Sequence, residues 1–73
     1  MNPAGKIAVL VNDRPHELSA AESLRGLLAG LGLENQRGVA AAVNGEVVPR
    51  DAWRERVLAD RDRVLVIRAT QGG

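Results

Sequence analysis

The sequence predicts an α+β fold: a mixed sheet of four to five strands with one main helix packed across it. Three observations carry this. Short runs of β-formers with turn chemistry between them stand at both ends of the chain, a single leucine-rich stretch of helical period lies between them, and 73 residues leave no room for a second domain. The whole of 1–73 is therefore expected to be one domain ending in a tail over 69–73.

The chain starts loosely over Met1–Gly5. Lys6–Val11 then alternates Ile7, Val9 and Val11 on one face with Lys6, Ala8 and Leu10 on the other, and apolar residues on both faces predict an interior strand. Asn12-Asp13-Arg14-Pro15 is turn chemistry, because Asn and Asp tolerate a left-handed backbone and Pro fixes φ. The chain should return as a short strand, His16–Leu18. Ser19-Ala20-Ala21-Glu22 has the S-x-x-E spacing of a capping box, which predicts a helix opening at Ser19. Leu24, Leu27, Leu28 and Leu31 form its core stripe, and Gly30 or Gly32 should end it.

Glu34–Gly38 is polar loop. Val39–Val43 reads as a strand, Asn44-Gly45 is a strong type I′ hairpin signal, and Glu46–Val48 returns. Pro49 stops that strand, Arg50–Trp53 forms a turn or single helical turn, and Trp53 should lie as a lid on the core. Asp60-Arg61-Asp62 is a tight turn before a last strand, Val64–Ile67, again apolar on both faces. First and last strands then belong side by side and parallel at the centre of the sheet. This is the β-grasp, or ubiquitin-like, arrangement, and it sends Ala69–Gly73 off the end of a central strand.

Composition excludes more than it assigns. A chain of this size buries only about 60% of its unfolded surface, so a deep enclosed active site is not expected. There is no cysteine, hence no disulfide, thiolate metal site or cysteine nucleophile, in keeping with a reducing compartment, and nothing resembles a membrane span or a signal sequence. A soluble cytoplasmic protein is expected. Net charge is +1 with the signs well mixed, and one Trp cannot form a base-stacking platform, which argues against nucleic acid. His16 is the single histidine, Asp60 and Asp62 read as solvated turn residues, and Ser23 and Thr70 have no base nearby in sequence. No catalytic residue, metal or bound cofactor is expected.

Gly72 and Gly73 remain. A glycine pair after an apolar strand makes a narrow thread ending in a carboxylate, able to enter a tunnel that a Cβ would block. Such a carboxylate is ionised and a poor electrophile until another molecule activates it. Gln71 and Gly72 would be the part that enters, and Gly73 the part acted upon. Leu65 and Ile67, or their alternates Val64 and Val66, form a candidate docking patch, according to which pair faces away from the helix.

The stretch Ala41-Ala42-Val43-Asn44-Gly45-Glu46-Val47-Val48-Pro49-Arg50-Asp51-Ala52-Trp53 closely resembles the central segment of the ThiS family, small sulfur carriers of thiamine biosynthesis. Asp60–Ile67 and the closing Gly72-Gly73 fit as well, so the likeness covers almost the whole chain. It implies that an ATP-dependent adenylating enzyme activates the Gly73 carboxylate, that a sulfurtransferase or cysteine desulfurase system converts it to a thiocarboxylate, and that thiazole synthase takes the sulfur. ATP would be used by the partner, and the free carrier would be a monomer. Arg61 departs from the glycine common in relatives at that turn. Molybdopterin sulfur carriers share the fold and the Gly-Gly end but tend to be longer and lack the Pro-Arg to Trp block. A carrier for another sulfur pathway, a non-covalent module and a protein modifier linked to lysines are the other readings.

Overall fold

The computed structural model describes residues 5–68. Five strands and one α-helix follow in the order β1 (Lys6–Val11), β2 (Arg14–Ser19), α1 (Leu24–Gly30), β3 (Val39–Val43), β4 (Glu46–Val48) and β5 (Arg63–Arg68), with a 3-10 turn at Arg50–Ala52. The sheet order is β2-β1-β5-β3-β4, so the last strand lies at the centre, parallel to β1 and antiparallel to β3. The expected β-grasp topology is the one observed.

Side chains alternate along each strand, so the register assigns the two faces. Ile7, Val9, Val11, Ala41, Val43, Val48, Val64 and Val66 point to one face and are buried with Leu24, Leu27 and Leu28 of α1 and with Leu33, Trp53 and Leu58. The opposite face has no covering layer among the described residues. The apolar residues that suggested strands buried on both sides therefore have different fates: the inner set builds the core, while Leu65 and Ile67 stay half exposed.

Several boundaries differ from the sequence expectation, each for a local reason. The first turn uses only Asn12 and Asp13, at φ 50° and 70°, so Arg14 and Pro15 already belong to β2. Pro15 is tolerated because β2 is an edge strand. In a two-residue hairpin the pair flanking the turn exchanges both hydrogen bonds, and the next pair, Leu10 and Pro15, exchanges none.

The helix begins at Ser23 and not at Ser19. Ser23 Oγ accepts from the Gly26 amide at 3.0 Å, the Leu24 amide donates to Arg56 O at 2.8 Å, and the Arg25 amide donates to Trp53 O at 3.0 Å. The free amides of the first turn at Leu24 and Arg25 are thus satisfied by a segment some thirty residues later, a partner no local spacing announces. Ser19 ends β2 instead, and Ala21 turns the chain at φ 69°. At the other end the Gly32 amide bonds Ala29 O and the Leu33 amide bonds Leu28 O, a Schellman closure with Gly32 at φ 77°. That closure ends the helical stripe one residue early: Leu31 is exposed, and Leu33 enters the core in its place.

Arg61 occupies a left-handed position at φ 73°. Its guanidinium is almost fully exposed and 3.9 Å from Asp60, an arrangement that contributes little in water. A side chain in this backbone region costs about 1–2 kcal/mol, more than the chain entropy glycine would add. Arg61→Gly should accordingly raise unfolding free energy by about 0.5–1 kcal/mol, read as a higher urea midpoint with unchanged slope. A lower midpoint would mean that Arg61 makes a contact worth more than its backbone strain.

Candidate functional site

Both candidate features, the docking patch and the root of the tail, lie on β5. On one side the strand pairs with β3 along its length, from Val43 opposite Val64 to Val39 opposite Arg68. On the other side β1 reaches only as far as Val64, where the Asn12 amide donates to Val64 O at 2.9 Å and the chain turns away. The Asn12 side chain then continues the ladder for one more step. Its Oδ1 accepts from the Val66 amide at 2.8 Å and its Nδ2 donates to Val66 O at 3.2 Å, so a side-chain amide replaces the peptide group that β1 no longer supplies.

The start of β5 is fixed in a related way. Asn44, at φ 53° in the type I′ turn with Gly45 at 84°, donates its backbone amide to Arg63 O at 2.7 Å and accepts from the Arg63 amide through Oδ1 at 2.9 Å. Its Nδ2 donates to Asp62 Oδ1 at 2.9 Å, and Asp62 Oδ2 accepts from the Ala59 amide. Asp60 Oδ1 accepts from the Ala8 amide at 2.8 Å. Asp60 thus ties the turn to β1, and Asp62 ties it to Asn44 and to its own backbone. His16 sits half-buried on β2, opposite Val9. Among the described residues no three His, Asp or Glu side chains come together as a metal site would require.

Of the proposed docking residues, Val64 and Val66 face the helix, and Leu65 and Ile67 face outward at 51% and 55% exposure. Register places Ala42 beside Leu65 and Ala40 beside Ile67, with Val47 of β4 next to Ala42 at 72% exposure. An apolar strip therefore runs across three strands on the uncovered face. Arg63 stands at one end of β5 on that face, and the ion pair of Lys6 with Glu17, at 3.7 Å, lies toward β1 and β2. Gln71, Gly72 and Gly73 lie outside the described residues.

The Pro49-Arg50 to Trp53 block lies on the other side of the molecule, against the helix. Arg50 donates to Glu34 O at 2.6 Å and Gln36 O at 2.5 Å, and its guanidinium stacks 4.5 Å from the Trp53 ring centroid. Trp53 is buried in the core, deeper than a lid, and its Nε1 donates to Val48 O at 2.9 Å. The block clasps the 34–36 loop to the end of β4. Sequence reading missed Asn12 as a strand extender and Val47 as part of the outer strip. Asn12 carried a signal only as a turn residue, and the exposure of Val47 follows once β4 is known to be an edge strand with Ala42 as its neighbour.

Comparison with known proteins agrees with this architecture. The model of the ThiS family matches residues 5–73. The sulfur carrier protein ThiS of Escherichia coli strain K12 is 32% identical over 65 residues, an alignment covering 89% of this chain and 97% of that protein. The crystal structure of a thiamine biosynthesis protein, ThiS, from Geobacter metallireducens superposes with a TM-score of 0.73 at 29% identity, covering 92% of this chain and all of that one. A solution structure of a thiamine biosynthesis protein from the same organism gives 0.72 at the same identity, over 88% of its length.

Asn12→Gly keeps the left-handed backbone available and removes only the side-chain amide. It should lower stability by about 1 kcal/mol and speed hydrogen exchange at the Val66 amide more than at Val64. Uniform acceleration along β5 would show that Asn12 acts only through global stability.

Proposed function

The chain belongs to the ThiS family, and we propose that it carries sulfur for assembly of the thiamine thiazole as a thiocarboxylate at Gly73. Members of this family are carriers, and the chain accordingly serves as the co-substrate of other enzymes. The single observation that carries the reading is the family match running through residue 73, which takes in the Gly72-Gly73 end.

The chemistry follows from the state of that end. An ionised carboxylate resists nucleophiles, so an adenylating enzyme first joins the Gly73 carboxylate oxygen to the α-phosphorus of ATP, and pyrophosphate leaves. Sulfur from a persulfide-bearing sulfurtransferase or cysteine desulfurase system then attacks the acyl carbon. AMP departs, and a thiol of the transfer system attacks the resulting sulfur–sulfur link, which frees the thiocarboxylate and leaves a disulfide on that system. Thiazole synthase is the acceptor. The carrier works in the cytoplasm, where these partners would meet it.

Gln71 and Gly72 thread into the partner, where a Cβ at Gly72 would collide, and Gly73 is the atom source of the reaction. Binding energy comes from the body of the domain. The uncovered strip around Leu65 and Ile67 supports docking there, since apolar side chains left half exposed on a rigid sheet recover transfer energy only when a partner covers them. Such a surface and a short thread act together: the strip holds the carrier while the thread is exchanged between chemistries.

Intact-mass measurement of the protein isolated from cells containing its own activating and sulfur-transfer enzymes should show one oxygen replaced by sulfur, with fragmentation placing it at Gly73. An unmodified end under those conditions would favour a binding module, and Gly-Gly remnants on lysines of other proteins would favour a modifier. ATP–pyrophosphate exchange by the activating enzyme separates the two parts of the surface. Gly72→Val should abolish exchange with the fold unchanged. Leu65→Asp with Ile67→Asp should raise KM for the carrier by roughly tenfold or more. Normal exchange with Gly72→Val would remove the threading argument.

A further inference from the structure

An activated acyl group at the end of this chain is open to any amine within reach, including the chain's own. A lysine amine can lose its proton and attack such a carbon, whereas a guanidinium stays protonated and cannot. The chain has nine arginines and one lysine, Lys6. The fold decides where that one amine stands relative to the tail.

Lys6 opens β1, which runs parallel to β5 with Leu10 opposite Arg63. Lys6 lies four residues before that register point and Arg68 five after it, so nine strand rises separate their levels, about 30 Å. The five residues 69–73 span at most about 17 Å when fully extended. To approach Lys6 the tail would have to double back along the whole sheet, and Gly73 would still stop about 13 Å short, more than a lysine side chain bridges. Lys6 is also paired with Glu17. At the tail's own end of the sheet Arg68 closes β5 opposite Val39, and Arg37 lies two residues before Val39, both guanidinium.

From this placement we infer that the chain is an acyl donor that cannot acylate its own lysine within one molecule, so that transfer of its acyl group to a lysine amine requires another molecule. The purpose of this arrangement rests on the carrier role above; the geometry does not. The excluded reaction is attack of a neutral lysine Nζ on the Gly73 carbonyl carbon. A C–N bond would form, the bond to AMP or to a thiol would break with its electron pair going to that leaving group, and the proton lost from nitrogen would go to solvent. Nothing is oxidised or reduced. An amine within reach would meet the acyl carbon at an effective concentration of order mM, which is why position matters as well as number.

The test uses the full chain, acetylated at its N-terminus so that Lys6 is its one amine, bearing a chemically prepared C-terminal thioester, at mildly alkaline pH. By intact mass the unsubstituted chain should only hydrolyse, and Lys6→Arg should behave identically. Arg68→Lys, which places an amine at the root of the tail, should yield an internal amide one water lighter than the free acid, at a rate independent of protein concentration. A Lys6–Gly73 link formed at a concentration-independent rate in the unsubstituted chain would overturn the inference. Failure of Arg68→Lys to close would overturn it equally. Because the thioester is made without ATP or partner enzymes, this result is separable from the sulfur-loading measurement that tests the carrier role.

Discussion

The structure depends on satisfying both edges of β5. A strand at the centre of a sheet presents peptide groups to two neighbours, and any left without a partner in a dry environment costs about as much as a lost hydrogen bond. β3 is long enough to serve one edge. β1 is not long enough for the other, because its hairpin turns away at Asn12. The Asn12 amide closes that shortfall, and the same residue provides the left-handed turn that created it. With β5 fixed in register, its alternation sends Val64 and Val66 inward and Leu65 and Ile67 outward. A one-residue slip would exchange the two pairs and remove both the core and the outer strip.

The second constraint is the start of α1. Seven residues make too short a helix to stand alone in water, so its exposed amides must be met by the rest of the fold. The segment from Arg50 to Leu58 does this. Carbonyls of Trp53 and Arg56 accept from the first turn, the Leu58 amide returns a bond to Glu22 O, and Arg50 draws in the loop at Glu34 and Gln36. The Pro49-Arg50 to Trp53 block is thus scaffolding on the helix side, while the outer strip lies on the opposite face of the sheet.

That separation explains what could be read from the residues. Strand positions and topology were legible because alternation and the Asn44-Gly45 turn are local signals, and the central place of the first and last strands followed from their apolar faces. The helix start was not legible. Ser19-x-x-Glu22 has the right local chemistry, but the amides of Leu24 and Arg25 find their partners at Arg56 and Trp53, and only the folded chain brings them together. Leu31 was misplaced because a Schellman closure, invisible to a periodic pattern, rotates the chain and substitutes Leu33. For the outer strip the sequence offered two candidate pairs on β5; the choice needed the register with β3.

Trp53, the single aromatic residue, is sealed in the core with its indole N–H on Val48 O and a guanidinium over one face. The protein therefore contains one intrinsic fluorophore in a dry, rigid setting. Loss of the core brings the indole into water and shifts its emission to longer wavelength, whereas occupation of the far side of the sheet leaves its surroundings unchanged. Optical spectroscopy on the unlabelled molecule thus reports the state of the core, and a probe of events on the outer strip has to be introduced there.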